Sequence, residues 1–146
     1  MINRIEVKNF KSLHYINQTL GKFHVLIGPN ASGKTTFMDV INFLADIVKN
    51  GIDEAVFSRS SNYNDLTFSS QGGDIEIAVE VNLPNDVSST LDNRFDQVRY
   101  EIRIGLTENT HEHAIKEERV VLEQKASLQQ GLETTNEARE SFPEYS

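Results

Sequence analysis

The eight residues Gly28-Pro29-Asn30-Ala31-Ser32-Gly33-Lys34-Thr35 constrain this chain more than any other stretch. They match G-x-x-x-x-G-K-[ST] at every defined position. A loop that wraps an anion must turn several backbone N–H groups inward, and the dihedrals this needs are open mainly to glycine. Gly28 and Gly33 stand where such dihedrals are needed. The flanks agree with the loop. Before it, Phe23-His24-Val25-Leu26-Ile27 is a short, mainly apolar run that predicts a buried strand of a parallel or mixed sheet. After it, Phe37, Val40, Ile41, Leu44, Ile47 and Val48 recur at spacings of three and four. They predict an amphipathic helix that stops at Asn50-Gly51. Strand, loop and helix together make a phosphate cradle with the positive end of a helix dipole at its floor. Lys34 is then placed to meet the β- and γ-phosphates of a nucleotide, and the Thr35 hydroxyl to complete a Mg²⁺ shell. ATP with Mg²⁺ is the expected ligand.

The rest of the chain reads mainly as strands. Ile5 and Val7 alternate with Arg4, Glu6 and Lys8, a short half-buried strand, and a second extended stretch runs from about His14 to Leu20. Residues 59–73 are rich in Ser, Asn and Gly and predict a long loop, mobile or docked on a partner. Asp74 to Leu83 and Gln97 to Leu106 alternate cleanly and predict two strands, buried on one side and polar on the other. Pro84-Asn85-Asp86 opens a connection with room for a short helix. His113 to Gln124 is a third strand candidate whose alternation breaks between Lys116 and Arg119. Residues 125–146 have few large apolar side chains and no period, so the domain is expected to span 1–124 and to be followed by an exposed or disordered polar tail.

Charge and composition narrow the function classes. The net charge of −8 argues against a chain whose main task is coating nucleic acid. Lys8, Lys11 and Lys22 nevertheless lie near the start and most acid lies after Asp74, which leaves the first third fit to meet an anion. There is no cysteine, hence no disulfide framework or thiolate metal site. The start does not read as a signal peptide, and no apolar run approaches the roughly 20 residues of a membrane span. A cytoplasmic protein with no membrane partner is the expectation. His111-Glu112-His113 offers two imidazoles but no third ligand, and is expected to be a solvated loop.

Ile5-Glu6-Val7-Lys8-Asn9-Phe10-Lys11-Ser12, followed by Ile27 to Thr36, resembles the opening of SMC, RecF and OLD-type ATPases, within the AAA-family ATP-binding proteins that carry ABC-type heads. The resemblance implies an α/β P-loop NTPase fold, here its N-terminal portion, with an antiparallel β-arm inserted after the P-loop helix. Asp74–Leu83 and Gln97–Leu106 look like that arm. It further implies that Gly28, Pro29, Asn30, Ala31, Ser32, Gly33, Lys34, Thr35 and Thr36 surround the phosphates, with Asn30 near the γ-phosphate. Lys11 would lie close by; its alternative is a solvated surface lysine.

Heads of this kind hydrolyse ATP with a Walker B strand ending in Asp-Glu and with a signature motif from a partner. Leu44-Ala45-Asp46 falls on the helix, and Ser69 to Asp74 precedes the arm strands, where a signature does not occur. Gln71 and Gln124 are two options for a metal-sensing glutamine. The expectation is therefore the first half of an ATPase head, completed by a homodimer or a partner chain. The settings implied are DNA repair, DNA maintenance or anti-phage defence, with DNA as a possible partner of the assembly. A nucleotide-binding or interaction fragment that does not hydrolyse stands beside this reading. A P-loop kinase is less favoured, because it would lack the Asn9-Phe10-Lys11-Ser12 lead-in.

Overall fold

The alternating segments assemble into one antiparallel sheet of five strands in the order β2-β1-β3-β4-β5. The computed structural model describes residues 1–91 and 94–124. The expected polar tail, 125–146, lies outside the described residues. The strands are β1 (Ile2–Phe10), β2 (Leu13–Thr19), β3 (Ile75–Asn82), β4 (Gln97–Leu106) and β5 (His113–Glu123). The helices are α1 (Lys34–Asn50), α2 (Ile52–Phe57) and α3 (Asn85–Thr90), the last in the connection that Pro84 opens. Strands β3 and β4 are not an arm standing apart. β3 pairs with β1 through Ile5↔Val79 and Val7↔Ile77, so the expected arm and the N-terminal hairpin share one sheet.

Helix α1 lies on the inner face of this sheet. Phe37, Val40, Phe43, Leu44 and Ile47 bury against Ile5, Val7, Ile75, Ile77, Val79, Ile102 and Ile104. Phe43, which the predicted stripe omits, is fully buried, whereas Val48, which it includes, is 75% exposed. At 100° per residue this turns the buried face roughly 45° from the predicted one. The reason lies in what flanks the helix. On the Phe43 side stand Phe10, stacked on Phe43 at 5.2 Å between centroids, and Arg59, 5.0 Å from its centroid. On the Val48 side an apolar groove of about 410 Å³ stays open between α1 and the β3–β4 end of the sheet.

Three expectations change in the structure. The predicted strand Phe23–Ile27 is irregular and exposed: Phe23 is 83% and Ile27 90% accessible. An apolar run buried on both faces needs strands beside it, and among the described residues the antiparallel sheet offers it none. Residues 59–73 are not an open loop. Two 3-10 turns, Tyr63–Leu66 and Phe68–Ser70, fold them onto the sheet, and Tyr63 and Leu66 are buried. The Tyr63 hydroxyl donates to the carbonyls of Gly73 and Ile104 at 3.0 and 2.9 Å. Asn9, with φ of 62°, clamps the segment: its Nδ2 donates to the carbonyls of Gly72 and Asp74, and its Oδ1 accepts from the Phe68 N–H. Finally, the broken alternation of β5 is a β-bulge. Ile104 pairs with Ile115 and Arg103 with Glu117, so Lys116 is the extra residue and the two-residue period resumes beyond it.

The outer face of the sheet is charged but only partly wet. Glu6 is fully buried and Glu80, Arg99 and Glu101 nearly so. Arg99 donates from Nη2 to Glu6 (2.7 Å), from Nη1 to Glu80 (2.8 Å) and from Nε to Glu101 (2.6 Å). Ala78 lies in register between Glu6 and Glu101, and its small side chain leaves room for the guanidinium to cross β3. Burial alone would lower the Arg99 pKa; hydrogen bonds to Glu101, Glu6 and Glu80 outweigh it and hold the pKa above its ordinary value. Tyr15 donates to Glu6 at 2.7 Å, and Arg119 closes the far side on Glu101. Among the described residues no helix is long and apolar enough to cross a membrane.

Candidate phosphate-binding site

The β1–β2 turn, the loop 28–33 and the first turn of α1 meet at one corner of the molecule. Ser12, in the turn, is hydrogen-bonded through Oγ to Thr36 Oγ1 at 2.9 Å. Leu13 and Ile16 of β2 face Leu26, Ile27, Gly28 and Pro29 across a cleft of about 300 Å³ that Ser32, Gly33, Lys34 and Phe37 complete. Loop residues 28–32 are exposed.

Gly33 caps α1 with φ of 89° and no side-chain cap. A β-carbon there would stand 3.1 Å from Leu13 Cδ2 and 3.3 Å from Ser12 Oγ. Backbone conformation and space thus both select glycine. Gly33→Ala is expected to destabilise the chain by about 1–2 kcal/mol, the cost of a left-handed L-residue, with crowding added. Urea unfolding of the two proteins checks this, and equal midpoints would contradict it. Gly28 has no left-handed φ, and a β-carbon there would lie 2.8 Å from Ser32 Oγ, a rotatable side chain that can give way.

The N-terminus of α1 suits an anion. Its first turn holds no acidic residue, and no side chain caps its free N–H groups. The Lys34 ammonium folds back over the loop and donates to Gly28 O (2.7 Å), Pro29 O (2.5 Å) and Ser32 Oγ (3.2 Å). Those three acceptors match its three donors. The loop is therefore wrapped around a positive charge. Thr35 is exposed beside it, while Thr36 is engaged with Ser12.

Lys11 is placed elsewhere. Its Nζ donates to Asp39 Oδ2 at 2.6 Å, on α1 one turn beyond Thr35. Arg59 binds the same carboxylate at 2.9 Å and reaches Asp46 at 2.8 Å. Burial raises the Asp39 pKa, but hydrogen bonds from Arg59 and Lys11 prevail and hold it below the usual carboxylate range. Lys11 is thus neither on the loop nor a free surface lysine. Nothing in the sequence pairs Lys11 or Arg59 with these acids, although Asp39 and Asp46 stand seven residues apart on one helical face.

The remaining candidates do not join the loop. Gln71 lines a different cleft, with Lys8, Asn9, His14 and Asp74, and Gln124 follows β5. His111 lies in the β4–β5 turn with φ of 56°. His113 is not solvated: its ring packs near Phe57 and Tyr63, and its Nδ1 lies 2.9 Å from Asp53. Among the described residues no three His, Cys, Asp or Glu side chains cluster to hold a metal ion. None of the five described strands ends in Asp-Glu beside the loop.

The OLD nuclease of Thermus scotoductus (strain ATCC 700910 / SA-01) is 41% identical over 44 residues, which is 30% of this chain and 8% of that protein. The match therefore spans only a small part of that relative. The family model described as "AAA ATPase domain" matches residues 1–144. On the strength of a match running through nearly its whole length, the chain belongs to the AAA ATPase domain family.

Proposed function

We propose that Gly28–Thr35 binds the triphosphate of ATP with Mg²⁺, and that the chain is the N-terminal portion of an ABC/SMC-like ATPase head. The observation that carries this reading is the Lys34 ammonium, held by the carbonyls of Gly28 and Pro29 at an uncapped helix N-terminus. Phosphate oxygens compete well for those positions, because a hydrogen bond between two ionised groups is stronger than one to a neutral carbonyl. Backbone N–H groups of the loop and of α1 take the remaining oxygens. The Thr35 hydroxyl is the protein's ligand to Mg²⁺, which offsets the charge of the phosphates when bound. Asn30 is the loop side chain assigned to the γ-phosphate. Lys11 reaches the nucleotide only by leaving Asp39.

The exposed run Phe23–Ile27 supports the wider reading. It is apolar enough to lie between two strands, and those strands would come from further chain, a second copy or a partner subunit, together with Walker B and signature elements. ATP hydrolysis, a cytoplasmic location, and a role on DNA or in phage defence belong to that assembly. The second reading is a nucleotide-binding fragment or split subunit that does not hydrolyse. It is favoured for this polypeptide alone by the lack of an Asp-Glu strand end among the described residues.

Calorimetry with MgATP tests the loop. The wild-type chain is expected to bind, and Lys34→Ala to weaken binding by about 10–100-fold, since a charge-assisted hydrogen bond contributes about 1.5–3 kcal/mol. Equal binding by the variant, or no binding by a folded wild-type chain, would sink the proposal. A phosphate-release assay on this chain and on any longer product then separates hydrolysis from binding alone.

A further inference from the structure

Strand β5 is the last strand of the sheet, and among the described residues nothing pairs with its outer edge. A bare edge of this length invites another strand unless charge, proline or a bulge guards it. The guard here covers one half only. Lys116 is bulged, and Glu117, Glu118 and Arg119 follow it. Val120, Val121 and Leu122 come next with no charge among them, and Val120 is 63% and Leu122 40% exposed.

The residues of this half are complementary to themselves. Beyond the bulge, Glu118, Val120 and Leu122 share the inner face with Ile102, Tyr100 and Val98, while Glu117, Arg119, Val121 and Glu123 share the outer face with Arg103, Glu101, Arg99 and Gln97. Two copies of β5 that meet antiparallel about a two-fold axis must pair residues of one face, and this leaves few registers. An axis at Arg119 sets arginine on arginine. An axis at Val120 sets Glu117 against Glu123 and Leu122 against Glu118. An axis at Leu122 sets Val121 against Glu123. An axis at Val121 sets Val120 against Leu122 on the inner face and Arg119 against Glu123 on the outer, twice each. From Arg119 to Glu123, only this last register joins apolar to apolar and acid to base. Arg119 already binds Glu101 yet keeps 45% of its side chain accessible, enough to meet a second carboxylate. The paired Val120 and Leu122 side chains also adjoin Tyr100 and Val98 at the mouth of the open inner groove.

We infer that the β5 edge is a homodimer interface, with Val121 on the two-fold axis and the two sheets joined into one of ten strands. This surface is distinct from the phosphate loop and needs no nucleotide.

The chain lacks cysteine, which allows a register-specific test. Directly opposed residues of antiparallel strands have Cα atoms about 4.5–5.5 Å apart, inside the range a disulfide spans. Sedimentation of the full chain is expected to show a concentration-dependent dimer, with or without MgATP and equally in Lys34→Ala. Under mild oxidation Val121→Cys should cross-link to itself. Val120→Cys and Leu122→Cys should each stay uncross-linked alone and cross-link when mixed. A wild-type chain that remains monomeric overturns the inference and means that other residues cover the edge. So does self-cross-linking at Val120 or Leu122 in preference to Val121. Thermal melting of reduced Val121→Cys against wild type separates lost pairing from lost folding.

Discussion

Arg99→Met is expected to cost about 3–5 kcal/mol, the loss seen when one partner of a buried ion cluster is removed. Glu6, Glu80 and Glu101 would each lose a hydrogen bond of 2.6–2.8 Å, and Glu6 has no solvent to turn to. Methionine fills much of the space, so the effect reads charge rather than volume. A small domain has about 5–15 kcal/mol in all, so the variant should unfold at far lower urea than wild type. Arg99→Lys should recover only part of the loss, because an ammonium cannot present the planar fork that reaches three carboxylates on β1, β3 and β4. Added salt should not rescue either variant, since buried pairs are little screened. A loss below about 1 kcal/mol would mean the cluster behaves as an exposed surface pair.

This cluster also marks where the sequence stops being legible. Alternation in β3 and β4 correctly separates Ile75, Ile77, Val79, Ile102 and Ile104 from their neighbours, because a period of two is imposed by the pleat itself. It says nothing about whether the polar side meets water. Glu6, Glu80, Arg99 and Glu101 look like solvated strand charges in one dimension. Only the register across β1, β3 and β4 shows that they cover one another. The β5 alternation failed for a related reason: one bulged residue, Lys116, shifts the phase, and a fixed period cannot absorb it. In residues 59–73, polar composition hid Tyr63 and Leu66, whose burial depends on Asn9, more than fifty residues away in sequence.

The candidate site divides in the same way. Gly28, expected for its dihedral, has no left-handed φ, whereas the need for glycine at Gly33 is readable because its left-handed φ and close approach are set within the loop and its flanking turn. Lys11 is not, since its partner is fixed by how the β1–β2 turn packs against α1. The residues of Phe23–Ile27 predict a strand, but a strand exists only through its neighbours. Local chemistry is written locally; pairing is not.

Phe43→Ala against Val48→Ala puts that distinction to a measurement. Helical spacing places Val48 in the apolar stripe of α1 and leaves Phe43 out, whereas in the structure Phe43 is fully buried and Val48 is 75% exposed. Phe43→Ala is expected to cost about 3–5 kcal/mol, and Val48→Ala to stay within about 0.5 kcal/mol. The first deletes a ring stacked on Phe10, which precedes the Lys11-Ser12 turn that holds Lys11 to Asp39 and Ser12 to Thr36. The damage should therefore reach the phosphate loop: under conditions where the variant is still folded, MgATP affinity should fall although Phe43 does not line the cleft. Arg59 keeps Asp39 and Asp46 as partners, so the loss is one of packing rather than of an ion pair. Urea unfolding followed by calorimetry at a denaturant-free, low temperature gives both readings. A larger loss at Val48 than at Phe43 would mean that α1 sits on the sheet with the face that spacing alone predicts, and the turn between Phe10 and Leu13 would then owe its position to something other than the Phe10–Phe43 stack.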